Sequence, residues 1–333
     1  MRRVLGSAFG TLASLRVAAY RHGLLPRARL AGPVVSVGNL GVGGSGKTPV
    51  VARVAEILRD AGESVAVLSR GYGGSFRGEA LVVSDGATVL ACAAEAGDEP
   101  VMLARALPGV VVAVGARRDT VGRAVEARFG RRVHVLDDGF QHLRLERDLD
   151  LVCLDVGDLE DRPMPAGRLR ERPSALARAS LVLLTRIEAA SEAELCALEE
   201  RLSPQRTIRV ARRVVGFSTL DGGVAVAPAR AFLLAAIARP ERFEQDVARC
   251  GVDVLGCAFF RDHHRFRPDD LSSVAARTRA AGADAIVTTA KDAVRLEGAS
   301  FSGVPVVVLG IAAEILDEGR LRARLLSAAG RAA

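Results

Sequence analysis

Gly41-Val42-Gly43-Gly44-Ser45-Gly46-Lys47-Thr48 has the G-x-x-x-x-G-K-[ST] spacing of a phosphate-binding loop. The glycines let successive backbone N–H groups curl around phosphate oxygens, and the lysine ammonium is compact enough to sit between them. Only two lysines occur in the 333-residue chain, against 44 arginines. A chain that writes nearly every cation as Arg has kept Lys47 where a point charge is needed.

The residues on either side supply the context such a loop requires. Pro33-Val34-Val35-Ser36-Val37-Gly38 is short, apolar and β-branched, as a buried strand should be. Thr48 to Asp60 place Val51, Val54, Ala55 and Leu58 on one helical face before Ala61-Gly62 stops the helix. Strand, loop and helix together predict a nucleotide site in which Gly41, Gly43, Gly44, Ser45 and Gly46 wrap the phosphates. Lys47 bridges the β- and γ-phosphates of ATP, and the Thr48 hydroxyl ligates Mg²⁺.

Short apolar runs recur at 64–68, 110–114, 132–136, 150–154 and 181–185, with helical patterns between most of them. This is the alternation of an α/β fold, a P-loop kinase-type parallel sheet with helices on both faces. Polar or glycine residues follow nearly every run, among them Asn39, Ser69-Arg70-Gly71, Asp137-Asp138 and Asp155. In an open α/β sheet they share the crevice outside the carboxyl ends of the strands. Four domain segments are expected. Residues 1–32 form a basic amphipathic helix, 33–215 the nucleotide-binding domain, 216–228 a hairpin or linker, and 229–333 a smaller α/β domain. Strands of the last are expected near 231–236, 253–259, 284–289 and 305–309.

Composition narrows the partners. Aromatic residues are 4% of the chain with no Trp, so the stacking platforms of single-strand nucleic-acid binders are scarce. The net charge of +7 and pI near 9.8 point instead to phosphorylated substrates or an anionic membrane surface. Residues 1–30 combine Arg2, Arg3, Arg16, Arg21, Arg27 and Arg29 with Val4, Leu5, Phe9, Leu12, Leu15, Val17 and Tyr20, a pattern that suits an interfacial helix. A packed surface helix and a secretory signal are the rival readings, the latter weakened by Arg16 within the run. The five cysteines are odd in number, form no C-x-x-C pair and show no zinc spacing, so they read as reduced core residues.

Several constellations carry chemistry. Asp137-Asp138-Gly139 follows a strand where a Walker-B acid belongs, and either carboxylate can hold Mg²⁺. Asp98-Glu99-Pro100 taken alone reads as a helix cap. Asp262-His263-His264 lies beyond an apolar strand and favours acid–base work over zinc. The Pro165-to-Glu171 loop carries Arg168 and Arg170, suited to an anionic substrate or to the transferring phosphoryl group. The second lysine, Lys291, is expected either to pair with Asp292 or to contribute to the nucleotide cleft. Its surroundings lack the Lys-x-Asp spacing of a guanine-binding motif, which counts against a nucleotide-switch GTPase.

In order along the chain, Gly38-Asn39-Leu40-Gly41 through Pro49, Ser69-Arg70-Gly71-Tyr72, Gly97-Asp98-Glu99-Pro100, Asp137-Asp138-Gly139-Phe140-Gln141-His142, Pro165-Ala166-Gly167-Arg168-Leu169-Arg170-Glu171, Ala238-Arg239-Pro240-Glu241-Arg242-Phe243, Asp262-His263-His264 and Lys291-Asp292 resemble the tetraacyldisaccharide 4'-kinase family of lipid A synthesis. The resemblance covers about residues 33 to 295. It implies transfer of the ATP γ-phosphate to the 4'-hydroxyl of tetraacyldisaccharide 1-phosphate, by a peripheral enzyme at the cytoplasmic face of the bacterial inner membrane. It also implies that Asp98 is the catalytic acid–base residue, paired with a histidine of Asp262-His263-His264, His263 being expected ahead of His264, and that Arg70, Arg168, Arg170 and His264 face the acceptor. Thr48, Asp137 and Asp138 are the implied magnesium ligands. The chain departs from the family pattern at Gly41, Ser45 and Ala290, none of which is Lys47, Thr48 or an acid. From composition no nucleic-acid partner is expected, and no protein partner is inferred.

Overall fold

The computed structural model describes residues 2–43 and 46–330, with side chains left aside for residues 2–5, 7 and 8; Gly44 and Ser45 lie outside the described residues. Helix α1 (Arg2–Arg21) leads into β1 (Val34–Asn39), the loop and α2 (Lys47–Asp60). Then come β2 (Val65–Ser69), β3 (Leu81–Ser84), a single-turn α3 (Ala93–Ala96), α4 (Asp98–Ala106), β4 (Val111–Val114), α5 (Arg118–Phe129) and β5 (Val133–Asp137). Strands β6 (Leu149–Asp155) and β7 (Leu181–Thr185), helix α6 (Glu192–Leu202), the long β8 (Thr207–Thr219) and the short β9 (Val224–Ala225) follow. The chain closes with β10 (Arg230–Ala235), α7 (Pro240–Arg249), β11 (Asp253–Phe259), α8 (Pro268–Ala281), β12 (Ala285–Thr289), α9 (Ala290–Ala293), β13 (Val306–Ile315) and α10 (Glu318–Ala328).

Among the described residues all thirteen strands join one sheet, ordered β11-β10-β12-β13-β8-β7-β6-β1-β5-β2-β4-β3, with β9 paired to β8. Both faces are covered, and strand alternation shows it. In β2, Val65 and Val67 join the core beneath α2 and α4, whereas Ala66 and Leu68 join a second core with Val121 and Val125 of α5. The central strands β1, β5 and β6 are buried along their whole length, which explains their continuous apolar runs.

β8 pairs antiparallel with β13 and so welds the two expected β–α groups into one sheet. The boundary expected at residue 216 falls inside β8, whose end forms a hairpin with β9. Arg209, Arg212 and Arg213 broke up the apolar signal of β8 in the sequence, and β13 runs on to Ile315, past the strand end expected near 309, so α10 begins only at Glu318. Leu321 and Leu325 of α10 are fully buried in the core shared with α2. Each such side chain is worth about 1.5–3 kcal/mol relative to exposure, so the C-terminal helix is held by the first group of strands.

Candidate active site

β1 delivers the loop at the carboxyl edge of the sheet, and Gly46 caps α2 in the left-handed region with φ 74°, a conformation that suits glycine. The Asn39 amide donates to the Gly41 carbonyl at 2.7 Å, and its oxygen accepts from Lys47 Nζ at 2.9 Å. A second segment is zipped to the loop: Val42 N donates to Arg168 O at 2.9 Å and Arg170 N to Leu40 O at 2.7 Å. Thr48 lies in the first turn of α2, half-buried.

The two acids after β5 do different work. Asp138 sits at φ 54° and accepts from Lys47 Nζ and Arg170 Nη1, both at 2.6 Å, one on each carboxylate oxygen. Burial alone would raise its pKa, but Lys47 and Arg170 overcome that and hold it at about 2. Asp137 Oδ2 accepts from Ser69 Oγ at 2.9 Å, while its Oδ1 is buried without a hydrogen-bond partner among the described residues. Burial, then the nearby Glu99, push Asp137 up to about 6. An orphaned buried carboxylate oxygen beside the loop is what a hard divalent cation satisfies. The site therefore fits magnesium through Asp137 and the Thr48 hydroxyl, whereas Asp138 is already committed to two cations.

Asp98 is the first helical residue of α4, the N-cap position being Gly97, and its carboxylate turns to His263 instead. The turn after β2 fixes it there, since a Cβ on Gly97 would lie 2.4 Å from Tyr72 O, so the two backbones touch as only glycine allows. The buried Asp98 carboxylate faces His263, with Oδ2 3.0 Å from Nδ1 of a residue 165 positions away. His263 is held at φ 61°, and the Tyr72 ring meets it edge-on at 5.7 Å. Arg295 approaches the same Asp98 oxygen at 3.4 Å and donates to the backbone oxygens of His264 (2.6 Å) and Ala236 (3.1 Å). A nucleotide loop, a cation-ready acid and a carboxylate–imidazole pair thus share one edge of the sheet.

The sequence model described as tetraacyldisaccharide-1-P 4'-kinase matches residues 2–330. The chain belongs to this family. Tetraacyldisaccharide 4'-kinases of Anaeromyxobacter dehalogenans and Geobacter metallireducens are 44% and 43% identical to it, covering 92% and 88% of this chain and 84% and 87% of theirs. A crystal structure of LpxK from Aquifex aeolicus in complex with ATP superposes with a TM-score of 0.80 at 29% identity, covering 98% of this chain and 97% of that one. The protein is accordingly a kinase of lipid A biosynthesis.

In this kinase the two loop arginines part company. Arg170 joins Asp138, whereas Arg168 pairs with Asp161 at 2.8 Å and borders the pocket of Asn39, Gly41, Val42, Gly43, Asp155 and Arg239. His264 is not brought to Asp98; it stacks on Phe260 at 4.6 Å and meets Asp270 Oδ2 at 2.9 Å. Arg70 is exposed at the end of β2. The expected Lys291–Asp292 pair does not form, because successive helical residues point about 100° apart. Asp292 takes Arg295, Thr289 Oγ1 and the Ala236 N–H instead, and Lys291 turns to Asp262 at 3.0 Å and His263 Nε2 at 3.2 Å.

Two functional candidates escaped the sequence reading. Arg118, 5% exposed, makes one hydrogen bond at 3.4 Å and lies within the field of Asp138, Arg70 and Asp137, with burial lowering its pKa. Arg295 is the other. Neither sits in a recognisable motif in an arginine-rich chain, so composition hid both. A cavity of about 400 Å³ also opens between α1 and the site, lined by Phe9, Leu12, Arg16, Leu143, Met164 and Arg170 among others.

Proposed function

We propose that this kinase works at an anionic membrane surface, the cytoplasmic face of the inner membrane, and that Asp98 removes the proton from the 4'-hydroxyl of tetraacyldisaccharide 1-phosphate. The 3.0 Å contact between Asp98 and His263 carries this reading, since it joins a carboxylate of one strand group to an imidazole of the other beside the nucleotide loop. ATP lies along Gly41–Thr48, with Lys47 on its outer phosphates. Asp137 and Thr48 would hold Mg²⁺, which would neutralise phosphate charge. Arg170, Arg70 and the buried Arg118 provide donors for anionic oxygens of the acceptor or of the transferring group. The hydroxyl oxygen gains nucleophilicity as its proton passes to Asp98 and attacks the γ-phosphorus in line with the departing ADP oxygen. The two strand groups act as the expected domains, 33–215 and 229–333, each giving one member of the Asp98–His263 pair.

Helix α1 supports the membrane reading. Gly6 and Gly10 seat its backbone on the loop at 163–172, where added Cβ atoms would lie 2.8 Å from Pro163 O and 2.9 Å from Arg172 Nε. Leu12 and Leu15 of the helix, and Leu24 just beyond it, stay exposed at 66%, 61% and 77%. No helix among the described residues is long and apolar enough to cross a membrane, so the helix lies in the headgroup region, and the adjoining cavity receives acyl chains. The test is phosphate transfer from ATP to the acceptor in mixed micelles, read by mass, together with retention on anionic vesicles. Asp98→Ala should slow transfer by about 10² to 10⁴. Removing residues 1–28 should weaken retention and acceptor use more than ATP affinity; undiminished vesicle binding would sink the membrane reading.

A further inference from the structure

Lys291 is the second of the two lysines and lies on the opposite side of His263 from Asp98. Its Nζ stands 3.2 Å from His263 Nε2 and 3.0 Å from Asp262 Oδ1. Glu99 Oε1 is 4.0 Å away. The charged and titratable groups against the imidazole are Asp98 from α4, Asp262 from its own turn, Lys291 after β12 and Tyr72 from the turn after β2, with Glu99 of α4 reaching Lys291 and Arg295 reaching Asp98 rather than the ring.

Donor and acceptor chemistry settles the ring. An ammonium offers three donors and no acceptor, and an ionised carboxylate offers only acceptors. Nε2 must therefore carry a lone pair toward Lys291, and Nδ1 must carry the hydrogen that Asp98 Oδ2 accepts. The reverse tautomer would set an N–H against the ammonium and a lone pair against the carboxylate. A doubly protonated ring would put a second cation 3.2 Å from Nζ. Asp262, 3.8 Å from Nε2, is beyond hydrogen-bond reach of the ring and instead anchors the lysine.

We infer that Lys291 is a positioning residue that locks His263 in its neutral Nδ1–H tautomer, so that the proton leaving the acceptor hydroxyl goes to Asp98 and the imidazole stays uncharged. The inference rests on Asp98 being the base. The lysine acts through His263 and need not touch substrate. Arginine can replace it in part, since a guanidinium also donates and cannot accept; methionine keeps the stem but leaves Nε2 open to a proton.

The test has two arms on the full-length protein. The first is ¹⁵N NMR of the imidazole nitrogens; with five histidines in the chain, His263 can be assigned by its loss in His263→Asn. The wild-type ring should carry its proton on Nδ1. Lys291→Met should mix the tautomers and raise the pH at which the ring becomes cationic, while Lys291→Arg should keep the wild-type pattern. The second arm is the pH profile of kcat/KM. A protonated His263 binds the Asp98 charge and weakens the base, so the acidic limb should move upward in Lys291→Met. A shift of one pKa unit would make the deficit about tenfold at the acid end and nearly erase it at the alkaline end. An unchanged ring spectrum in Lys291→Met, or a loss of activity equal at every pH, overturns the inference. If Asp98→Ala transfers phosphate at close to the wild-type rate while the ring behaves as described, the base assignment fails and the tautomer lock stands.

Discussion

The phosphate loop and the Asp98–His263 pair lie on one edge of one sheet, yet they are built by opposite routes. The loop comes from ten consecutive positions, Asn39 to Thr48, in which glycines stand between a strand end and a helix start. The pair is assembled from residues 165 positions apart, and its geometry depends on the antiparallel β8–β13 seam that fixes one strand group against the other. Binding can be encoded locally because backbone amides do most of it. Proton transfer needs two side chains at about 3 Å with defined tautomers, which local sequence does not guarantee.

The largest expected effects separate these two devices. Asp98→Ala should cut kcat by about 10² to 10⁴, the usual value of a positioned base, with ATP affinity little changed. Lys47→Ala should cost at least as much and weaken ATP binding as well; isothermal titration beside steady-state kinetics distinguishes the two. Equal loss of ATP affinity in both variants would erase the contrast.

Next in size is Gly38→Ala, which strikes the scaffold of the loop alone. A Cβ there would lie 2.5 Å from Phe140 Cβ and 2.6 Å from its backbone N, so β1 or the turn after β5 must shift. A loss of about 1–3 kcal/mol is expected in denaturant melts, with activity falling in proportion to the folded fraction.

A smaller effect concerns His142, beside the acids of the loop. Burial, then Arg118, lower its pKa from 6.5 to about 4. The unfolded chain takes up a proton below 6.5 that the folded chain refuses until about 4, so this group's contribution to stability is lost as pH falls through that window. His142→Gln should flatten the decline of the thermal midpoint between those pH values; a slope identical to wild type would contradict the assignment.

Smallest of all is the ion pair at the seam. Arg53 of α2 meets Glu318 of α10 through two bonds of 2.8 and 2.6 Å, both side chains being partly exposed. Arg53→Ala should cost only about 0.2–1 kcal/mol in a double-mutant cycle with Glu318→Ala, because solvent screens the pair and the buried leucines of α10 hold the seam.

The parallel core and the nucleotide loop were legible because their signals are contiguous: β-branched runs for buried strands, a glycine–lysine spacing for the loop, a helical stripe for α2. Strand β8 was not, since its arginines are paired only in three dimensions, as Arg209 is with Glu192 and Glu199. Asp137 and Asp138 were legible as acids but not as unequal ones; their division of labour came from Lys47 and Arg170 reaching one of them and Ser69 the other. Likewise, Lys291 was expected beside Asp292 or the nucleotide cleft rather than against His263.

By itself the sequence determined the fold class, the family and the residue types of the site, because these rest on periodicity and on motifs whose members are neighbours in the chain. Tertiary structure alone decided which histidine meets Asp98, which arginine guards which acid, and where the second lysine points. Those choices turn on distances of about 3 Å between groups far apart in sequence, and such distances are fixed by how two sets of strands share one sheet.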